Sequence, residues 1–597
     1  MDSLHKEFSK LNDKQKIAVT AINNTVVFAG PGSGKTATLV LKAAYLLAEI
    51  VQPPQGVACI TYNNEAAAEI RDRLELLGVR ASGRVFLGTV HSFCLNCVIR
   101  PFSPLLTHEN DDVEVAIDSK ATEFLKSAAN KVGPDLHPYD LKETITKLRS
   151  RIVCQEDFSG FADSDLKILQ LYQDTLRSEG VIDFEGIIEE ALNIIRDNAW
   201  VRDFLLARFP WVLVDEYQDL GGPLHQIIEE LASAGIRIFA VGDPNQCIYD
   251  FAGAEPTYFL ELTKRKDFDT IRLNLNYRSG KRLIAASQAA LAESTPRDYE
   301  ADPKRTDEGE ILFFKGASTD DHPNVIVKQV IPELNARGLK SEDIAVFYKR
   351  EGRLFSELTQ AFDAAGIPYF LEKNDKYPKT RITRWLQQII QAGLESAKGG
   401  LSTVNIDDLE RTYDAMIIEA NGIVSDPLQT RTALFNAISS VDDPDTPLSD
   451  VLTTLDNILS ITKITDIPQD LYGDHETWAV LLNSIRGEGQ LHDYTAADFS
   501  LEGKKQEKIT ITTNHSSKGR QFAAVVIPEL VYEVFPERPW DAKKLRWERR
   551  LFYVAFTRAK DVVALVFGNV YRKRNGTLRQ TDISPFVREV HKRLKEK

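Results

Sequence analysis

The sequence predicts an α/β fold of two parallel-sheet lobes, each interrupted by a mostly helical insertion. Three observations carry that reading. A short apolar run, Thr25-Val26-Val27-Phe28, passes into a glycine-rich loop and then into an Ala/Leu-rich stretch from Ala37 to Ile50, the order strand, loop, helix. Comparable buried-strand runs recur in both halves of the chain, and several end in a polar cluster, as in a parallel sheet whose strand ends gather on one edge. Two long stretches, residues 101–198 and 380–501, are helical in pattern and lack strand signals.

The chain has 597 residues, room for roughly four domains. Hydrophobic residues at 43% and charged residues at 27% are ordinary for a globular protein. No apolar run approaches the ~18 residues of a membrane span, and the start, Met1-Asp2-Ser3-Leu4-His5-Lys6-Glu7, lacks an apolar signal core, so neither insertion nor secretion is expected. Five scattered cysteines fit a reducing cytoplasm. Cys94 and Cys97 have the C-x-x-C spacing, but no second pair follows, and a metal there is not expected.

The net charge of −14 argues against a nucleic-acid partner until its distribution is seen. Residues 401–500 hold four Lys/Arg against eighteen Asp/Glu, the whole excess of the molecule. Residues 501–597 hold 22 Lys/Arg against 11 Asp/Glu, net +11. A polyanion is attracted to the last segment and repelled by the acidic one.

The first lobe is expected over residues 1–100 and 199–280. Leu11-Asn12-Asp13-Lys14-Gln15 opens a helix capped by Asn12 or Asp13. The Gln15 carboxamide is able both to donate to and accept from an adenine edge, although exposed glutamines commonly do neither. The loop Ala29-Gly30-Pro31-Gly32-Ser33-Gly34-Lys35-Thr36 then has the composition of a phosphate cradle. Gly30, Gly32 and Gly34 let the backbone wrap an anion and aim N–H groups and a helix N-terminus at it. Lys35 places a point charge on the β/γ-phosphates and the Thr36 hydroxyl ligates Mg²⁺. Ala29 stands where the motif's leading glycine would be, a small residue for a small one.

Strand 56–60 runs into Thr61-Tyr62-Asn63-Asn64, and strand 84–87 into Gly88-Thr89-Val90-His91-Ser92-Phe93. Tyr62 and Phe93 fit a core as well as a site. After the first helical insertion, Trp211-Val212-Leu213-Val214 ends in Asp215-Glu216-Tyr217-Gln218-Asp219. Two carboxylates at the end of a buried strand are costly without a cation. Asp215 is therefore expected to hold Mg²⁺ through its water shell, and Glu216 to orient or deprotonate the attacking water. A strand at 237–241 leads to Gly242-Asp243-Pro244-Asn245-Gln246, and Asn276-Tyr277-Arg278-Ser279 closes the lobe. The second lobe is expected over 281–379 and 502–597, with strands at 310–315, 344–348, 508–513, 525–527 and 562–566.

Set together, these stretches resemble the UvrD/Rep/PcrA family of superfamily-one DNA helicases over nearly the whole chain. To the motifs quoted above are added Val-Gly-Asp-Pro-Asn-Gln-Cys-Ile-Tyr at 241–249, Thr-Asn-His-Ser-Ser-Lys-Gly at 513–519 and Arg-Arg-Leu-Phe-Tyr-Val-Ala-Phe-Thr-Arg-Ala-Lys at 549–560. The resemblance implies RecA-like lobes that bind ATP and Mg²⁺ between them. It implies that Gln15 contacts adenine, Tyr277 stacks on it, Gln246 senses the γ-phosphate, and Arg278 and Arg558 reach that phosphate from the two lobes. Tyr62, Asn63, Thr89, His91, Phe251, Thr513 and His515 would grip single-stranded DNA, and travel would be 3′ to 5′.

The chain departs from the family pattern in three places. Phe251-Ala252-Gly253-Ala254 lacks the arginine usual after the aromatic residue. Glu65 replaces a common lysine. Gly519-Arg520-Gln521 replaces Gly-Leu-Glu, and Gln521 bonds a ribose hydroxyl more weakly than a carboxylate. The expected activity is a DNA-stimulated ATPase that translocates on single strands and unwinds 3′-tailed duplex. The alternative is a helicase-shaped switch subunit of a nuclease or defence assembly with little unwinding of its own. The acidic 401–500 region is expected either to be a solvated face or to restrain the motor or meet a basic protein partner such as a nuclease or repair factor.

Overall fold

The computed structural model describes residues 2–61, 64–79, 83–105, 114–116, 118–133, 138–250, 253–292, 299–371, 377–378, 380–399, 402, 404–420, 427–466, 474–487, 489, 491–502, 507–573 and 575–596. Two compact bodies are present: Met1–Val113 with Asp118–Ala365 and Thr513–Lys597, and Glu114–Ile117 with Gly366–Thr512.

In the first body, strands β1 (Asn24–Ala29), β2 (Val57–Thr61), β3 (Val85–Thr89), β4 (Trp211–Val214), β5 (Arg237–Gly242) and β6 (Phe268–Leu273) form one sheet in the order β3-β2-β4-β5-β1-β6. Every pairing in it is parallel, with Val27 opposite Val241 and Cys59 opposite Leu213. All carboxyl ends therefore meet at one edge, where open α/β sheets bind ligands. β1 and β4 are buried at every position, as expected of strands covered on both faces. β6 was not anticipated. It is an edge strand whose Asp269, Thr270 and Arg272 break the apolar run, so it carries no continuous hydrophobic signal.

Helix α1 (Asp13–Thr20) begins in a reciprocal cap in which Asn12 accepts from the Gln15 N–H and Gln15 accepts from the Asn12 N–H. Helix α2 (Lys35–Tyr45) packs Leu39, Val40 and Ala43 against β1, β4 and β5. Lys42 is buried on the same helix, donates to the Val19 carbonyl at 3.1 Å and to that of Ala21, and lies 4.5 Å over the Trp211 ring. Burial pushes its ammonium down to about 7. Lys42 thereby ties the C-terminal end of α1 to α2, and fixes where Asn12 and Gln15 stand relative to the glycine loop.

The first insertion holds helices Asp118–Val132, Pro138–Val153, Asp163–Ser178 and α3 (Phe184–Asp197) and an unanticipated short strand, Val181–Ile182; helix Ala199–Arg208 follows it. Its centre is polar: Arg149 binds both carboxylate oxygens of Asp183 at 2.8 Å and Glu189 at 2.6 Å, and Tyr172 donates to Asp183 at 2.8 Å. Such a network is stable only when every member is paired, and Asp183 also accepts from the Gly186 N–H to cap α3.

The same body holds a second parallel set, β7 (Glu310–Lys315), β8 (Ile344–Tyr348), β9 (Phe522–Leu530) and β10 (Ala559–Phe567), in the order β7-β10-β9-β8. Helix α4 (Ala542–Phe556) covers it, with Leu551, Phe552 and Ala555 packed on Val525, Val563 and Leu565.

In the second body, Tyr369–Leu371 pairs in parallel with Ile509–Thr513. The acidic stretch folds into helices including Arg381–Ala397, Ile406–Glu419, Pro427–Ser439, Leu448–Leu459 and Asp474–Ser484. Trp385, Leu386, Ile389, Leu434, Leu452 and Phe499 build its core. Among the described residues its one fully buried acid is Asp474, which lies against Arg381 at 2.7 Å. Among the described residues no helix is long and apolar enough to cross a membrane.

Candidate active site

The glycine loop leaves β1 at the buried Ala29 and delivers Lys35 and Thr36 to the first turn of α2. Gly34 caps that helix at φ +81° and Gly32 sits at φ +70°, left-handed positions that glycine takes at least cost. A Cβ on Gly32 would also lie 2.5 Å from Asn276 Oδ1. The Ser33 hydroxyl donates to the Gly30 carbonyl at 2.7 Å, and Pro31 is buried, which holds the loop in shape.

Asp215 and Glu216 follow β4 directly. Glu216 is left-handed at φ +49°, ψ 44°, a costly backbone for a residue with a side chain, and the turn aims its carboxylate at Lys35. Lys35 Nζ lies 3.3 Å from Glu216 Oε1, while Gln218 donates to Oε2 at 2.5 Å. Burial opposes ionisation of Glu216, yet Lys35 and Lys518 hold its carboxyl down to about 2. Burial and the neighbouring Glu216 charge push Asp215 the other way, up to about 7. A buried carboxylate so short of positive charge is the donor a divalent cation would satisfy, and Thr36 stands half-buried on the adjoining turn.

Residues of the second sheet complete the site. Arg558, at the start of β10's approach, is buried; its Nη2 donates to Gln246 Oε1 at 3.1 Å and its Nε to the Val554 carbonyl at 2.9 Å. Gln246 in turn donates to Asp243 at 2.9 Å. Arg278 donates to the Thr557 carbonyl at 2.9 Å, and its Nε has no partner. Burial and the like charge of Arg558 push its guanidinium down to about 9. Two buried guanidiniums of like charge, neither in an ion pair among the described residues, fit a polyanion such as a triphosphate.

At the other end of the loop, the Tyr277 N–H donates to the Gly32 carbonyl at 2.8 Å and its hydroxyl to Gln15 Oε1 at 3.2 Å. Asn12 donates to that hydroxyl at 2.8 Å, and Gln15 Nε2 donates to the Ser33 carbonyl at 3.1 Å. The Tyr277 ring is 38% exposed, open enough to stack on a flat ligand.

Of the residues expected to hold DNA, Thr89, His91, Thr513 and His515 are described. Thr89 ends β3 and accepts from the Ser92 N–H at 3.3 Å. His91 packs edge-on against Phe184, 5.2 Å between centroids, and burial pushes it down to about 4, so it is neutral near pH 7. Thr513 accepts from the Ser516 N–H at 3.0 Å, and His515 lies 5.7 Å from the Trp547 ring. Gln521 is exposed just before β9. Tyr62, Asn63 and Phe251 lie outside the described residues.

Sequence reading missed the clasp between Lys518 and Asp219. Lys518 Nζ pairs with Asp219, donates to the Gln246 carbonyl at 2.7 Å and lies 3.9 Å from Glu216. Both residues stood in quoted motifs, but nothing local joins positions 299 apart. The bond from Asn12, expected only as a possible cap of α1, to the Tyr277 hydroxyl 265 positions on was missed for the same reason.

A glycine loop at the carboxyl edge of one parallel sheet, met by an arginine carried on a second, defines a two-lobed P-loop nucleotidase. Residues 11–267 match the UvrD/REP helicase N-terminal domain, and residues 271–387 and 428–568 the UvrD-like helicase C-terminal domain. Over 98% of its length the chain is 24% identical to the ATP-dependent DNA helicase PcrA of Bacillus subtilis, covering 86% of that protein. It is 24% identical to a probable DNA helicase II homolog of Mycoplasma capricolum (88% covered) and 23% identical to the PcrA of Staphylococcus aureus (87% covered). The chain belongs to the UvrD/PcrA-like superfamily-one helicases, a family of ATP-hydrolysing DNA helicases.

Proposed function

We propose that this protein hydrolyses ATP to step 3′ to 5′ along single-stranded DNA and to open 3′-tailed duplex. The observation that carries the reading is the placement of Arg558, from the second lobe, on Gln246 of the first, within the field of Glu216. An arginine inserted across a cleft neutralises charge as a phosphoryl group leaves, an effect worth roughly 10³–10⁵ in rate.

In this reading Lys35 transfers its ammonium from Glu216 to the β/γ-phosphate oxygens of ATP. Glu216, released by Lys35 but with Lys518 still 3.9 Å from its second oxygen, takes the proton of the attacking water. Arg278 and Arg558 bind the γ-phosphate from two sides, and Gln246, bonded to Arg558, reports its presence to the second lobe. Tyr277 stacks on the base and Gln15 reads its edge. Thr36 and Asp215 would hold Mg²⁺, which when bound neutralises phosphate charge. Loss of the γ-phosphate removes what holds the arginines in place, and the lobes part. Thr89, His91, Thr513 and His515, with Tyr62, Asn63 and Phe251, are assigned to the DNA strand, so closure and opening move it by alternating grip. Gln521 is assigned to the ribose.

The test is ATP hydrolysis with and without single-stranded DNA, then strand displacement on 3′-tailed and 5′-tailed duplexes. Stimulation with displacement from the 3′ tail alone supports the proposal. Stimulation without displacement supports the switch-subunit alternative, and no hydrolysis defeats both. For the acidic insertion the assignment is a basic protein partner. Replacing five or six of its acids with Ser or Asn should lose that partner or alter ATPase; no change in either discards the assignment.

A further inference from the structure

The segment joining β9 to α4 presents a basic and aromatic surface that the nucleotide site does not use. Trp540 is 69% exposed, which leaves a flat indole face open to a partner. Arg538, Lys543 and Arg546 around it are exposed as well. The carboxylates of the segment are already engaged: Glu537 pairs with Lys349 at 3.8 Å and Arg350 at 3.4 Å, and Asp541 accepts from the N–H groups of Lys543 and Lys544 as the cap of α4. Arg538, Lys543 and Arg546 are in no ion pair among the described residues, although the Asp541 charge lies within reach of Arg538, and they stand in the part of the chain whose net charge is +11.

A second group of rings lies at the first turns of α4. Lys543, Lys544 and Trp547 fall on one side of the first turns of α4, next to Trp540 in sequence. Lys544 Nζ lies 4.2 Å over the Trp547 ring, and Trp547 donates to the Ile248 carbonyl at 3.1 Å, which fixes its plane. His515 is tilted 33° to that ring at 5.7 Å and lies 6.4 Å from Tyr249. A line of flat groups with cations beside it is the chemistry of a single nucleic-acid strand: rings stack on bases of any sequence, and cations meet the phosphates.

We propose that Trp540, with Lys543, Arg546 and Arg538, is a further contact for single-stranded DNA, in which the indole stacks on a base and the three cations meet the backbone phosphates. The proposal rests on the DNA reading above, through His515. Duplex keeps its base faces stacked inside, so Trp540 favours the single strand over duplex.

The experiment uses the full chain and labelled oligo(dT), with a blunt duplex of equal length as comparison, read by fluorescence anisotropy across a salt series. W540A should weaken oligo(dT) binding about tenfold and W540F should restore most of it. K543S/R546S should lower the slope of log affinity against log salt by about one. Unstimulated ATPase should be unchanged in all three. Wild-type binding with unaltered affinity and slope in the variants overturns this contact and leaves the DNA reading standing, as does a loss confined to the blunt duplex. Failure of the wild type to bind oligo(dT) overturns both. Should W540A melt early, W540F and K543S/R546S decide the matter, since each leaves the packing of Trp547 intact.

Discussion

Lys35 Nζ sits 3.3 Å from Glu216 Oε1, so the ammonium proposed for the phosphates and the carboxylate proposed for the water neutralise one another. The ion pair is partly shielded and is reinforced on its far side by Lys518, 3.9 Å from the second oxygen. Binding of a triphosphate must therefore separate the pair, and that exchange sets Glu216 free only when substrate is present.

Glu216→Gln removes the base and keeps the shape. Turnover is expected to fall about 10²–10⁴-fold while a fluorescent ADP analogue still binds. Lys35→Ala should instead weaken nucleotide binding itself. Steady-state ATPase beside a nucleotide titration checks both, and a Glu216→Gln enzyme retaining a tenth of wild-type turnover would remove Glu216 from the reaction.

Arg558→Ala should lower kcat by roughly 10³ with little change in binding of the ADP analogue, since its partner Gln246 faces the site from the first lobe. Arg278→Ala should resemble it. Equal losses in binding and turnover for Arg558→Ala would make that residue a ground-state ligand.

The glycine loop, the Asp215-Glu216 pair and the buried strands were legible because each is written in consecutive residues. The loop needs its glycines within a few positions, and β4 and residues 26–29 of β1 are continuously apolar because both faces are covered. β6 was not legible: at the sheet edge its alternate side chains meet water, and Asp269 and Arg272 hide the strand. Nor was the clasp of Lys518 on Asp219, whose partners meet only after two lobes have folded.

Arg149 supplies a test of the first insertion's stability. Arg149→Met leaves the buried Asp183 and the half-buried Glu189 without their cation, and should cost about 3–5 kcal/mol in urea denaturation. Adding Asp183→Leu to it should recover part of the loss, because the desolvated charge goes with it. A single variant as stable as wild type would show that the network contributes nothing.

The carboxyls of the site set a pH dependence. Asp215, pushed up to about 7 by burial and Glu216, keeps a proton in the folded chain that the unfolded chain releases near 3.8. Its contribution to stability is thus present at low pH and lost as pH rises from about 4 to 7. Asp219, pushed up to about 7 mainly by burial, acts in the same direction. Glu216 has the opposite slope, confined to pH values between about 2 and 4.5. Asp215→Asn should therefore raise Tm at pH 8 in nucleotide-free, chelator-treated protein, and the gain should shrink towards pH 5. An offset equal at both pH values would contradict the assignment.

Gln15 carries the last prediction, about choice of base. Its Oε1 already accepts from the Asn12 N–H and the Tyr277 hydroxyl, and its Nε2 already donates to Ser33. Its second N–H can donate to adenine directly, but Oε1 accepts from adenine only by exchanging one of its two bonds, and the exposed Tyr277 hydroxyl is the least costly to release into water. Guanine presents the reverse donor and acceptor pattern and would leave the amide facing like groups, so Gln15→Ala should lose discrimination between ATP and GTP rather than activity as a whole. The expected change is roughly tenfold in the ratio of the two kcat/KM values, carried by a rise in KM for ATP with kcat nearly kept. Tyr277→Phe, which frees Gln15 Oε1 from one donor, should leave that ratio intact. An unchanged ratio in Gln15→Ala would assign the residue to the cap of α1 alone.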